Sequence, residues 1–199
     1  MDADAIEIRV LGCLIEKQRT TPDAYPLSLN SLRLACNQAT NREPVADYDE
    51  PAIRAALERL SRKGWTRLAS GAGSRAAKYR HLFDEAVGVS PTELSLLAVL
   101  MLRGPQTPGE LKQRAERLHP FESLAEIEGV LAGLIERELI ARLARRPGQK
   151  EERYTHLLGE EGPVEVAIAS ATEDDRIRLL EQRMARLEDE LAALRAQLS

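Results

Sequence analysis

One stretch of this chain occurs twice. Trp65–Phe83, WTRLASGAGSRAAKYRHLF, returns as Ile140–Leu158, IARLARRPGQKEERYTHLL, and the two lie over each other without a gap. Arg67-Leu68-Ala69 matches Arg142-Leu143-Ala144, Gly73 matches Gly148, Lys78 matches Arg153, Tyr79 matches Tyr154, and His81-Leu82 matches His156-Leu157. In each copy apolar residues alternate with basic or polar ones on both sides of a glycine-containing basic tip, the pattern of strand, turn, strand. Each copy also follows a series of helical runs. Three helices and then a basic hairpin is the order of a winged helix. The expected fold is mainly α with small β-hairpins: two tandem winged-helix (helix-turn-helix) domains, at 1–86 and 87–159. A linker at 160–172 and a C-terminal coiled-coil-like amphipathic helix at 173–199 complete the chain.

The helix signals agree with this order. In the first half, Ala5–Arg19 carries Ile8, Leu11, Leu14 and Ile15 at helical spacing, with Glu7, Arg9, Glu16 and Lys17 between them. Ser28 caps a second helix reaching to about Gln38, with Leu29, Leu32, Leu34 and Ala35 expected inward. Asp49 caps a third, with Pro51 in its first turn and Gly64 at its close. In the second half, Ser90-Pro91-Thr92-Glu93 is a strong helix start, followed by Leu94, Leu97, Ala98, Met101 and Leu102. Thr107-Pro108 echoes Thr21-Pro22 and opens a short helix, with Glu110 placed for a capping box. The last helix runs from Glu122 or Ser123 to Glu138 and is expected to bury Leu124, Ile127, Val130, Leu131, Leu134 and Ile135.

Beyond the repeat, Ile177, Leu180, Met184, Leu187, Leu191, Leu194 and Leu198 step alternately by 3 and 4, an a/d seam. In a parallel pair the flanking charges Arg176–Glu181′, Arg183–Glu188′ and Glu190–Arg195′ all attract, which favours a homodimer through the C-terminal helix. An amphipathic helix folded back on its own chain is the alternative.

Charge decides where an anionic partner could sit. The chain's net charge is −4, spread as +1 over 1–86, 0 over 87–159 and −5 over 160–199. Bulk charge therefore does not make it a polyanion binder, and nucleic-acid contact must come from a local patch. Arg59, Arg62, Lys63, Arg67, Arg75, Lys78 and Arg80 form such a patch without an intervening acid, and Arg54 lies one helical turn before it. In a winged helix the third helix enters the major groove and the hairpin tip reaches the neighbouring backbone or minor groove of double-stranded DNA. A solvated charged face with no ligand is the alternative reading of the same residues.

One feature opposes DNA reading: Asp47, Asp49 and Glu50 open the first such helix, and Glu122, Glu126 and Glu128 line the second. The second domain is the better candidate for a protein partner, which makes a protein-interaction scaffold the rival function. The loop Asn37–Val45 is either held by its own side-chain bonds or presents Asn41 and Arg42 as a recognition loop.

No catalytic constellation emerges. His81, His119 and His156 have no metal-ligand spacing with Cys13 or Cys36, which read as reduced core thiols. There is no G-x-S-x-G, P-loop or dinucleotide fingerprint. Neither an enzyme, a metal nor a cofactor is expected. No apolar run approaches membrane-spanning length and the acidic N-terminus lacks a signal-peptide pattern, so a cytoplasmic location is expected.

Longer words of the sequence point to a family. LGCLIEKQRTTPDAYPLSLNSL from Leu11, ACNQATNREPV from Ala35, GAGSRAAKYRH from Gly71 and LRGPQTPGEL from Leu102 resemble the YceH-like bacterial proteins of uncharacterised function. The likeness covers about residues 5–158. It implies tandem winged-helix domains and brings no activity, ligand or catalytic residue with it.

Overall fold

The computed structural model describes residues 2–69, 77–143, 145, 151–159 and 184. It is mainly helical, with two small antiparallel sheets. In chain order the elements are α1 (Ala5–Thr20), a 3-10 turn (Pro22–Ala24), β1 (Leu27–Ser28), α2 (Leu29–Cys36), α3 (Glu50–Arg62), β2 (Thr66–Leu68) and β3 (Lys78–His81). Then come α4 (Phe83–Val87), α5 (Pro91–Arg103), α6 (Pro108–Ala115), α7 (Leu124–Glu136), β4 (Ile140–Leu143) and β5 (Arg153–His156).

Side-chain caps set the helix starts. Ser28, Asp49 and Ser123 each accept from a backbone N–H of the first turn. Asp4–Glu7, Ser90–Glu93 and Thr107–Glu110 are reciprocal capping boxes. The ends of α3 and α7 also match each other. Gly64 at φ 74° donates to the Ser61 carbonyl and Trp65 to that of Leu60. Glu138, at φ 55°, donates to Ile135 and Leu139 to Leu134 in the same pattern.

Strand register corrects the gapless overlay. Thr66 stands opposite His81, Arg67 opposite Arg80 and Leu68 opposite Tyr79. In the second hairpin Ile140 stands opposite His156, Ala141 opposite Thr155 and Arg142 opposite Tyr154. Arg67 therefore corresponds to Ala141, and Arg142 corresponds to Leu68. The first strand of the second hairpin is set one residue earlier, and a one-residue shift turns a side chain to the other face. The match of Arg-Leu-Ala to Arg-Leu-Ala is thus a match of letters, not of place.

A second correction concerns Thr107. It is not the counterpart of Thr21, which precedes the 3-10 turn. Leu27, just before the Ser28 cap, pairs with Tyr79, and Gln106, just before the Thr107 cap, pairs with Tyr154. Thr107 thus takes the place of Ser28.

Residues 1–160 form one compact unit whose two halves share a core. Val10, Leu11, Cys13, Leu14 and Ile15 of α1 are buried together with Leu94 through Leu102 of α5. A helix that is apolar all round, as α5 is from Leu94 to Leu102, must be covered all round, and α1 supplies part of that cover. Gly12 permits the approach: a Cβ there would stand 3.0 Å from Cγ and Cδ2 of Leu102. Cys13 and Cys36 are buried free thiols. Their mutual hydrogen bond and burial hold the Cys36 thiol well above its ordinary pKa.

Three residues expected inside are exposed: Leu34 at 56%, Leu124 at 47% and Ile135 at 39%. Leu34 lies two residues, about 200°, from buried Leu32 and so falls on the far face of α2. Leu124 and Ile135 occupy the first and last turns of α7, beyond the part that meets the core. The heptad residues Ile177, Leu180, Leu187, Leu191, Leu194 and Leu198 lie outside the described residues. Met184 is described only as helical and exposed.

Candidate nucleic-acid interface

The basic patch divides once the chain is folded. Arg59 pairs with Asp4 and approaches Glu7 Oε2 at 3.4 Å. The Lys63 ammonium sits 3.0 Å from Glu7 Oε1 and lies over the Trp65 ring. Glu7 is only 2% exposed, so the start of α1 uses these two cations to neutralise its own buried carboxylate. Arg80 pairs with Glu85 at 3.3 Å. These three are not available as unpaired charges.

Arg54 and Arg62 on α3 and Arg67 on β2 are different. All are exposed, and none has a carboxylate within ion-pair distance among the described residues. Lys78 is exposed at the start of β3. Arg75 lies outside the described residues.

The acids opening α3 are partly engaged as well. The Asp49 carboxylate caps the helix by accepting from Ala52 N at 2.8 Å. Asp47 accepts from the Asn37 side chain at 3.3 Å. Glu50 and Glu58 remain exposed beside Arg54.

Among the described residues, each cation of the second hairpin has a carboxylate partner. Arg142 and Arg145 both meet Glu152, at 3.2 and 3.5 Å. Arg153, the counterpart of Lys78, donates to both oxygens of Glu110 and to the Pro105 carbonyl. Arg142 sits where the first hairpin has Leu68. Where the first hairpin sets Arg67 against Arg80, the second has the uncharged pair Ala141 and Thr155.

The loop before α3 turns inward. Arg42, 4% exposed, donates to the Ala35 and Asn41 carbonyls, to Gln38, and to both carboxylate oxygens of Glu16. Arg9 adds bonds to the carbonyls of Cys36 and Pro44. Asn37 holds Tyr48 through both its amide and its carbonyl. Asn41, at φ 61°, accepts from Arg103. Of the two readings of this loop, the geometry matches the internally bonded one. The Arg42 donors are already satisfied within the chain.

The paired histidines have a structural place. Burial pushes both the His81 and His156 imidazoles down to about pKa 4, so they are neutral near pH 7. His81 bonds Gln18 through Nε2, and its backbone N–H donates to the Tyr25 hydroxyl. Among the described residues no cluster of His, Cys, Asp and Glu is arranged to hold a metal ion, and no helix is long and apolar enough to cross a membrane.

Sequence reasoning passed over a second cationic group, formed by Arg103, Arg114 and Arg117. The three-residue step from Arg114 to Arg117 was readable as a shared helical face. That Arg103 would join them depends on how α5 meets α6.

Comparison with known proteins adds kinship. The chain is 52% identical to a UPF0502 protein of Pelobacter propionicus, over 95% of this chain and 91% of that protein. It is 45% identical to a UPF0502 protein of Serratia proteamaculans, over 97% and 95%. A UPF0502 protein of Geotalea uraniireducens is 47% identical, over 98% and 91%. Residues 3–149 match the model of a single family, and the chain belongs to that family, described as "Protein of unknown function, DUF480".

Proposed function

We propose that the two halves are winged-helix modules and that the first binds double-stranded DNA through its phosphate backbone, without catalysis. The repeated order of helices, cap-adjacent strand and hairpin supports the modular reading. One observation carries the DNA reading. Arg67 stands directly across from Arg80 on the first hairpin, and Arg67 has no carboxylate partner among the described residues. Like charges placed opposite each other across strands cost stability, a cost that the exposed Arg80–Glu85 pair lessens without removing. The corresponding pair in the second hairpin is uncharged, so the fold does not require two cations there.

The contact set among the described residues is Arg54, Arg62 and Arg67. Arg59, Lys63 and Arg80 are set aside as internally paired. Three phosphate contacts give a log–log salt slope of about −3. The full chain is titrated with mixed-sequence duplex DNA at several salt concentrations. Binding with that slope, reduced in Arg62→Ala/Arg67→Ala, is expected. No binding at low salt, or binding unchanged in the double variant, overturns the reading.

A second reading, a protein-interaction scaffold, has its own observation. The outer face of α7 exposes Leu124 and Ile135 beside Ala125, Gly129 and Ala132. It suits a protein surface better than DNA, because Glu128 and Glu136 share it.

A further inference from the structure

The seam between the halves holds a cavity of about 390 Å³, between the end of α1, the Asn41 loop, α5 and α6. Its apolar wall is Ala98, Val99, Leu102 and Leu118. Its polar lining includes three arginines, Arg103, Arg114 and Arg117. We propose that this cavity binds a small organic anion, a carboxylate or phosphate head on an apolar body.

Charge balance is the first argument. The sole acid on the wall, among the described residues, is Glu16, and it is already committed to Arg42 at 2.6 Å and Lys17 at 3.5 Å. Arg114 lies 3.7 Å from Glu110, but Glu110 also serves Arg153 at 2.8 Å and caps α6. Arg103 and Arg117 have no carboxylate within ion-pair distance among the described residues. Arg103 donates to Asn41, and among the described residues the three cations share only Glu16 and Glu110, each also engaged elsewhere.

Electrostatic strain is the second argument. Partial burial, followed by the charges of Arg114 and Arg42, holds the Arg103 pKa below its ordinary value. A bound anion would remove that repulsion. Guanidinium forks match planar carboxylate and phosphate oxygens in two-point geometry.

Shape is the third. The volume lies at the small end of the usual range for ligand pockets, roughly 300–1,000 Å³. Apolar residues in the same lining as the charges select a molecule with an organic body over a bare ion. The cavity is lined from both halves, so its occupant would touch both. This inference does not depend on DNA binding.

The test titrates the full chain with benzoate, phenyl phosphate and inorganic phosphate at constant ionic strength, followed by heteronuclear NMR. Saturable shifts confined to the cavity-lining residues are expected for at least one organic anion, at about millimolar affinity or tighter. Inorganic phosphate is expected to bind at least about tenfold more weakly, and Arg117→Gln to cost about tenfold. Arg117 is exposed and has no ion-pair partner among the described residues, so its variant should fold normally. Arg103→Gln is expected to weaken the same binding. Three outcomes overturn the proposal: neither organic anion saturates, inorganic phosphate binds as tightly, or Arg117→Gln leaves affinity unchanged.

Discussion

Gly12 of α1 lies against Leu102 of α5 so closely that a Cβ would stand 3.0 Å from two Leu102 carbons and 3.1 Å from the Met101 Cβ. This contact joins the halves of the shared core. Gly12→Val is expected to lower stability by about 1–3 kcal/mol, because extra methyl groups must displace a packed neighbour. Urea unfolding measures it. An unchanged midpoint would show that the two helices separate easily.

Arg42 and Glu16 form a part-buried ion pair that also ties down the Asn37–Val45 loop. Arg42→Met should destabilise by about 1–3 kcal/mol, since it removes the main partner of the part-buried Glu16 carboxylate and the bonds that hold the loop, leaving Lys17 at 3.5 Å. Glu16→Gln/Arg42→Met should recover part of that loss. The same pair predicts acid sensitivity. Burial alone would raise the Glu16 pKa, but the hydrogen bond and charge of Arg42 outweigh it and the net shift is downward. A carboxylate with a depressed folded-state value stabilises above its unfolded value of about 4.3 and loses that contribution as pH falls below it.

His81 and His156 act in a higher pH window. Their folded values of about 4 lie below the reference of 6.5, so the folded state binds fewer protons than the unfolded state. Their contribution is complete above about pH 6.5 and is lost as pH falls towards 4, at roughly 2–3 kcal/mol each. Urea midpoints measured across that window should drop, and His156→Gln should flatten the drop by about one proton. A slope identical to that of the unaltered chain would count against a buried neutral imidazole.

Arg67 and Arg80 predict a trade between stability and binding. Arg67→Thr removes a like-charge pair and should stabilise the first hairpin by about 0.2–1 kcal/mol at low salt, while DNA affinity falls. Melting and binding measured on the same variant separate this from a structural role, in which both would fall together.

Much of the local architecture was readable from the chain. Ser28, Asp49, Ser90 and Thr107 cap helices as their residue types suggest, and Gly64 closes α3. The repeated Tyr and His mark equivalent strand positions in β3 and β5. Less of the candidate interface was readable. Seven cations with no acid between them looked like one surface, yet the carboxylates that neutralise Arg59 and Lys63 come from Asp4 and Glu7, more than fifty residues away. Nothing local to those cations announces that. Arg42, in a loop full of turn formers, gave no sign of burial for the same reason.

Sequence by itself determined where helices begin, that the plan occurs twice, and that the first hairpin is the more basic. Capping, turn chemistry and periodicity act over a few residues, so they are written locally. Tertiary structure alone decided the one-residue offset between the hairpins, the burial of α1 against α5, the internal use of Arg42, Arg59 and Lys63, and the meeting of Arg103 with Arg114 and Arg117. Each of these depends on which distant surfaces come together, and Coulomb and packing energies act through space without regard to separation along the chain.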